Sequence, residues 1–340
     1  MRVAIFNGAG KPVTIEERPE EELGPQDVRL AIGRCGICGS DVSMTSGSPF
    51  DYAAGRAIGH EFAGEVIEVG RDVTGIRTGD RLAVIPSGPC GRCAMCLAGR
   101  ALFCTSGNSL FGGFGERKVV PASAAFRMPD SVSMAEGALA EPMACGRRAL
   151  RMAGFAKGHR ILILGGGNMA LSVIYWARLM GAGRIAVLSR SDKRDEVLRA
   201  FGADATIRLG EEDPAAIARA LGAEPDIIAE CVGKTGMLQL AIDKASVGAS
   251  IVSLGMCTSP DPVIPALNSF KEVSLHFPIG YSAEDFEQTL RAFDAGSARP
   301  EQMVSATIAL DDLPAMIEQM RGPNQQLKVM VDPHRECSHG

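Results

Sequence analysis

Aromatic residues are scarce in this chain of 340 residues: they make up 5% of it, with one Trp and three Tyr. A basic excess is also missing, since 35 Lys and Arg stand against 40 Asp and Glu, for a net charge of −5 and a pI near 5.7. A broad nucleic-acid footprint needs a basic face, so no nucleic-acid partner is expected. No uninterrupted apolar run approaches a membrane span, so no membrane partner is expected. The opening Met1–Phe6 reads as a strand and lacks the n-region, h-region and cleavage site of a signal peptide. A cytoplasmic location is the resulting expectation. Internal repeats and low-complexity tracts are absent too, the 40 glycines clustering around tight turns.

What is present suits a globular protein of two domains. The length exceeds the usual single-domain size, and 46% apolar with 22% charged residues allows sizeable cores. The first 130 residues read as short strands and turns. Val28, Leu30 and Ile32 alternate with other residues, as do Leu82 and Val84, and Gly-Pro pairs punctuate the runs. Near residue 133 the rhythm changes. Ser133 and Glu136 form a capping box at a helix start. Apolar runs at Ile161–Leu164, Ile185–Leu188, Ile227–Val232 and Ile251–Leu254 then alternate with helical stretches at 168–180, 192–201, 213–221 and 236–246. That alternation implies a doubly wound parallel sheet and an α/β fold class. Ser305–Leu310 and Leu327–Val331 read as strands around a helix at 312–321, returning to the first domain, and the tail Pro333–Gly340 is expected to fray. The expected division is 1–145 with 291–340 for one domain and 146–290 for the other.

Gly165, Gly167 and Ala170 form a G-x-G-x-x-A pattern after a buried strand and before a helix. Gly165 allows the tight turn, Gly167 lets backbone approach a pyrophosphate, and Ala170 permits close helix–strand packing. With Asn168 and Met169 they open a helix N-terminus suited to the pyrophosphate of a dinucleotide. An NAD site usually has Asp or Glu at the end of the second strand, for the ribose 2′-hydroxyl. Here that end reads Leu188-Ser189-Arg190. Ser189 can donate to a 2′-phosphate, and Arg190, helped by Arg194, can pair with it. NADP is therefore expected in preference to NAD. The bland alternative is a solvated basic turn with Asp192 and Asp195 nearby.

The ten cysteines carry the clearest pattern. In a cytoplasmic protein, patterned cysteines serve metals or catalysis more often than disulfides. Cys90, Cys93, Cys96 and Cys104 supply four thiolates in fifteen residues, enough to close a tetrahedral zinc site. A closed site leaves no position for substrate, so this one reads as structural. A second set, Cys38, His60, Glu61 and Glu141, is dispersed along the chain beside turn residues. A thiolate, an imidazole and carboxylates suit a catalytic zinc that keeps one position open. Cys35-x2-Cys38 also has redox-dithiol spacing, which nothing else supports.

The runs Cys35-Gly-Ile-Cys-Gly-Ser-Asp41 and Gly59-His-Glu-Phe-Ala-Gly64 resemble the signature of the zinc-containing medium-chain dehydrogenases. So do the four-cysteine lobe, Gly79-Asp-Arg81, Ala140-Glu-Pro142 and the glycine loop, all in family order over about residues 1–332. Glu-Pro at the third metal position is similar to the sorbitol, threonine and other polyol dehydrogenases. The resemblance implies a GroES-like catalytic domain joined to a Rossmann domain, with the active site in the cleft. It implies one catalytic and one structural zinc, and Cys38 and His60 as catalytic ligands. Glu61 and Glu141 share the remaining role, one bound directly and one holding the metal water or exchanging with it. Asp41 would orient His60, Ser40 would relay the proton, and Lys328 would reach the cofactor. A homodimer or homotetramer is also implied.

Two positions depart from that pattern. Ser43 stands where the family often has a relay His, and Arg147–Arg148 where relatives often have His after Glu-Pro. An arginine facing the cleft would favour an acidic or phosphorylated substrate; a solvated helix face is the plainer reading. The expected chemistry is hydride transfer between a secondary alcohol or polyol, or the corresponding ketone, and NAD(P). Two alternatives are a zinc-free quinone-reductase-like enzyme, disfavoured by both metal sets, and a zinc-ribbon nucleic-acid-binding protein, disfavoured by the acidic balance. Cys145, Cys231 and Cys257 read as small core residues, and Tyr175 and Trp176 as packing.

Overall fold

The computed structural model describes residues 1–47, 52–296, 299–322 and 324–336. The end of the tail, 337–340 with His339, lies outside the described residues. The chain divides into two compact units, Met1–Glu141 with Ser282–Gly340, and Pro142–Tyr281. The divisions fall at 141/142 and 281/282, somewhat earlier in the chain than the sequence suggested. The first lies within one helix, Met134–Met152, where no change of composition marks it.

In the first unit the strand Asp27–Gly36 is central. It pairs antiparallel with Glu61–Val69, Arg117–Pro121 and Lys328–Asp332. Its alternating Val28, Leu30 and Ile32 are fully buried, so burial follows the period of two that the sequence shows. The C-terminal segment Val304–Ala309 joins the same sheet through Lys328–Asp332. Residues near the end of the chain thereby come beside residues 35–37.

The second unit is a six-stranded sheet in which every neighbouring pair is parallel. Its spatial order is Ala205–Arg208, Arg184–Ser189, Arg160–Leu164, Ile227–Glu230, Ser250–Ser253, Ser274–His276. This is the doubly wound order in which the first strand lies centrally. Ile161 to Leu164 are buried on both faces, hence their unbroken apolar run. Trp176, on the helix Asn168–Leu179, donates to Met143 O at 2.8 Å, and Ser172 Oγ donates to Met143 O at 3.0 Å. These bonds dock that helix on Met134–Met152 within the unit. A Cβ on Gly146 would lie 2.2 Å from Ser172 Oγ, so the close approach depends on glycine there.

Candidate active site

Cys38 precedes the helix Gly39–Ser46, and Asp41 fixes that start by accepting from Cys38 N at 2.9 Å through Oδ2. The other Asp41 oxygen, Oδ1, lies 3.2 Å from His60 Nδ1. Neither atom has a well-directed hydrogen bond among the described residues, so this is a pairing of charge more than a directed bond. One buried carboxylate thus positions both Cys38 and His60. His60 precedes the strand Glu61–Val69, so Glu61 is the first residue of that strand. The donor atoms of Cys38, His60 and Glu61 all lie within 4.8 Å of one another. Ser40 Oγ lies 3.4 Å from His60 Nε2. Burial alone pulls the His60 imidazole down, but the Asp41 carboxylate and the Cys38 sulfur outweigh it and hold it well above the ordinary range.

Lys328, which the resemblance placed toward the cofactor, instead turns its ammonium onto Glu61. Nζ donates to Glu61 Oε1 at 2.7 Å, to Oε2 at 2.6 Å and to Ile37 O at 3.0 Å. All three donors of the ammonium are then used. Both side chains are almost completely buried. A Cβ on Gly36 would lie 2.1 Å from Glu61 Oε2, so glycine there makes room for the carboxylate. Burial works against the Lys328 charge; Glu61, with Cys38 and Glu141 adding to it, prevails and lifts it above the usual lysine range. Glu141 is itself buried and lies outside the three-residue donor group. Cys35 packs in the core, and burial pushes its thiol up. Ser43 Oγ donates back to Gly39 O at 3.0 Å on its own helix.

The structure adds an aromatic wall the sequence did not reveal. The rings of His60 and Phe111 lie 5.4 Å apart, and Tyr52 stacks on Phe111 at 5.7 Å. Burial pushes the Tyr52 phenol up to about 12. Neither aromatic stands in a periodic pattern that would have marked it.

The four lobe cysteines converge as their spacing demands. Their sulfurs lie within 4.8 Å of one another, with Cys90–Cys96 and Cys93–Cys104 each at 3.9 Å. A zinc ion with four sulfurs at its usual bond length needs S–S separations of about 3.8 Å, whereas a disulfide needs about 2.05 Å. Backbone N–H groups of Cys93 and Cys96 point at the sulfurs of Cys90 and Cys93, each at 3.4 Å. The N–H groups of Cys96 and Thr105 hold the Cys93 thiol down to about 6, which favours the thiolate a metal requires.

In the second unit, Gly165 takes φ +97°, and a Cβ there would meet Val232 Cγ2 at 2.8 Å. Gly167 is the N-cap of the helix Asn168–Leu179 and brings no side chain to cap it, so the turn of Asn168, Met169 and Ala170 suits an anion. Gly165 N donates to Leu188 O at 2.8 Å, which sets the loop beside the end of the second strand. There Arg194 Nη1 donates to Gly166 O at 3.1 Å. Burial lowers the Arg194 pKa, and the charge of Arg190 lowers it further. Asp195, which the bland reading set against this charge, is engaged by Arg208, Arg199 and Thr206. Arg147 lies over the Trp176 ring at 5.6 Å.

Comparison with known proteins agrees with both halves. Residues 24–130 match the alcohol dehydrogenase GroES-like domain, and residues 169–295 match the zinc-binding dehydrogenase domain. Sorbitol dehydrogenase of Gallus gallus is 34% identical over 75% of each chain. L-idonate 5-dehydrogenase of Vitis vinifera is 32% identical over 72% of this chain and 71% of its own. A solved structure from Sinorhizobium meliloti, described as a zinc-binding dehydrogenase bound to NADP, is 28% identical with a TM-score of 0.87, covering 98% of this chain and 99% of that one. The zinc-ribbon alternative has no place in a chain matched along its length in this way. With two domain matches in the expected order, and both cysteine- and histidine-based donor sets assembled, the chain belongs to the zinc-containing medium-chain dehydrogenase family and is an oxidoreductase of its sorbitol-dehydrogenase-like branch.

Proposed function

We propose that the enzyme moves a hydride between a secondary hydroxyl of a small alcohol or polyol and NADP, with NAD as the weaker cofactor. The convergence of Cys38, His60 and Glu61 to within 4.8 Å carries this reading. Their thiolate, imidazole and carboxylate form a donor set that leaves a zinc coordination position open. When bound, the zinc supplies Lewis acidity toward the substrate oxygen and the nicotinamide supplies the hydride acceptor. Asp41 fixes the Cys38 backbone and faces the His60 ring. Lys328 balances Glu61, and Glu141 is the second carboxylate of the centre. Ser40, partly exposed and beside His60, passes the substrate proton outward. Phe111 and Tyr52 line the site and exclude water. Cys90, Cys93, Cys96 and Cys104 hold a second, structural zinc.

NADP is preferred because Arg190 and Arg194 follow Ser189 at the end of the second strand, where the nearby carboxylate of Asp195 is already engaged by Arg208, Arg199 and Thr206. Arg147, stacked on Trp176, gives no support to an acidic substrate. The protein assembles as a homodimer or homotetramer. The edge strand Ser274–His276, flanked by exposed Phe270, Phe277 and Ile279, is the surface a second copy would cover. A spectrophotometric screen of polyols, hydroxy acids and sugar phosphates with both cofactors tests the reading. A polyol or secondary alcohol should turn over with kcat/KM higher for NADP than for NAD. Absence of activity with every alcohol in zinc-replete enzyme would refute it. Sedimentation as a monomer at micromolar concentration would refute the assembly.

A further inference from the structure

The strand Ala205–Arg208 is an outer strand of the parallel sheet, and its register places Arg208 directly opposite Ser189. Both residues therefore stand at the carboxyl ends of their strands, where doubly wound sheets bind ligands. Arg208 Nη1 donates to Ser189 Oγ at 2.8 Å, and Nη2 donates to Asp195 Oδ2 at 2.5 Å. Asp195 is held in turn by Thr206 Oγ1 at 2.9 Å and Arg199 Nη2 at 3.3 Å. The Ser189 hydroxyl gives its own proton to Ser191 O at 3.0 Å. A hydroxyl has one proton to donate, so Ser189 has none left for a phosphate in this arrangement.

Arg208 has donors to spare. A guanidinium carries five N–H groups in a planar fork, and two of them are used here. The side chain is 27% exposed, so the fork is reachable from solvent. If Arg208 served only to neutralise Asp195, Arg199 would already supply that charge. Instead Asp195 and Ser189 hold the fork from two sides at the position where the ribose 2′-substituent must lie.

Resting on the NADP reading above, we propose that Arg208 is a specificity-determining residue for the cofactor: it donates from the third strand to the 2′-phosphate, with Asp195 and Ser189 orienting it. Arg190 and Arg194 approach the same phosphate from the turn after the second strand. Ser189 then acts mainly by positioning Arg208, which the sequence alone could not show.

The test is calorimetric titration of zinc-loaded enzyme with adenosine 2′,5′-bisphosphate and with adenosine 5′-monophosphate. Arg208→Met should bind the bisphosphate about ten- to a hundredfold more weakly, the worth of a charge-assisted contact, with the monophosphate unchanged. The monophosphate serves as the control for folding, since a misfolded variant loses both ligands. Arg208→Lys should recover part of the loss, keeping the charge but not the fork. If Arg208→Met keeps the wild-type preference while Arg190→Met loses it, the role given to Arg208 is overturned and the NADP reading stands. If wild-type enzyme binds the two probes equally, the NADP reading itself falls, and this inference with it.

Discussion

Replacing Lys328 by Met should destabilise zinc-stripped enzyme severely and zinc-loaded enzyme much less. The side chains have similar length, so the substitution removes the charge and three hydrogen bonds while leaving the cavity nearly filled. In the native arrangement Nζ donates to both oxygens of Glu61 and to Ile37 O, and neither side chain reaches solvent appreciably. Removing one partner of a buried pair leaves an uncompensated charge, at a cost of about 3–5 kcal/mol. At about 2–4 °C per kcal/mol for a unit of this size, the melting temperature should fall on the order of 10 °C. A bound zinc supplies the missing positive charge, so the loss should shrink when metal is restored. Replacing both partners, Lys328→Met with Glu61→Gln, removes the stranded charge, and in the stripped protein this double variant should be more stable than Lys328→Met alone. The assay is thermal or urea unfolding of the wild type, Lys328→Met and the double variant, each with chelator and with zinc. A cost below about 1 kcal/mol in the stripped single variant would show that the pair is solvated or dispensable, and the reasoning would fail.

Other perturbations test the remaining parts. Wild-type enzyme should carry two zinc ions per chain by elemental analysis, and Cys104→Ala should lose one of them with aggregation on heating, because the closed lobe folds around its metal; a stable variant with both ions retained would reject the structural assignment. Cys38→Ser and His60→Ala should abolish turnover while far-ultraviolet circular dichroism stays at wild type, and wild-type rates in either would remove the catalytic assignment. Ser189→Asp with Arg190→Leu should shift the kcat/KM ratio toward NAD, and an unchanged ratio would show that the turn does not read the cofactor. Asp226 is held below the ordinary carboxylate range by the Arg160 guanidinium, which meets it at 2.7 Å. A depressed pKa gives stability that is present above the ordinary carboxylate range and lost as pH falls through the depressed value. Partial exposure limits it to about 1 kcal/mol. Asp226→Asn should therefore cost that amount at pH 7 by urea unfolding and almost nothing at the acid end, and a pH-independent cost would reject the pairing.

The fold was legible where one physical constraint acts locally. Unbroken apolar runs marked the central strands of the parallel sheet because burial on both faces demands them. Short outer elements escaped notice. Ala205–Arg208 offers one large apolar residue, Ile207, and Ser274–His276 is three residues long. The helix Ala283–Asp294 does carry a sequence signature, the capping box of Ser282 and Asp285. The lobe cysteines were legible because a tetrahedron of sulfurs fixes their spacing. Cys38, His60 and Glu61 were legible through the runs around them, but their supports were not. Glu61 and Lys328 are 267 positions apart, and the pairing of Asp27–Gly36 with both Glu61–Val69 and Lys328–Asp332 brings them together. The same holds for Arg208, which meets Ser189 through strand register.

Those long-range partners decide what the centre can hold. Cys38, Asp41, Glu61 and Glu141 supply four acidic groups to one buried region, and Lys328 supplies one fixed cation. His60 responds by rising above its ordinary range, but a proton on its ring competes with the metal for the same nitrogen. A zinc held by Cys38, His60 and Glu61 would relieve both problems, since it would contribute two positive charges and require a neutral imidazole. A lysine beside Glu61 also weakens that carboxylate as a ligand, because its oxygens must be shared between ammonium and metal. On the zinc reading proposed above, Glu61 would then be the most readily released of the three donors, and Glu141 would be the carboxylate placed to replace it. The two acids that the sequence left interchangeable differ in one observed respect, the ammonium of Lys328 bonded to Glu61.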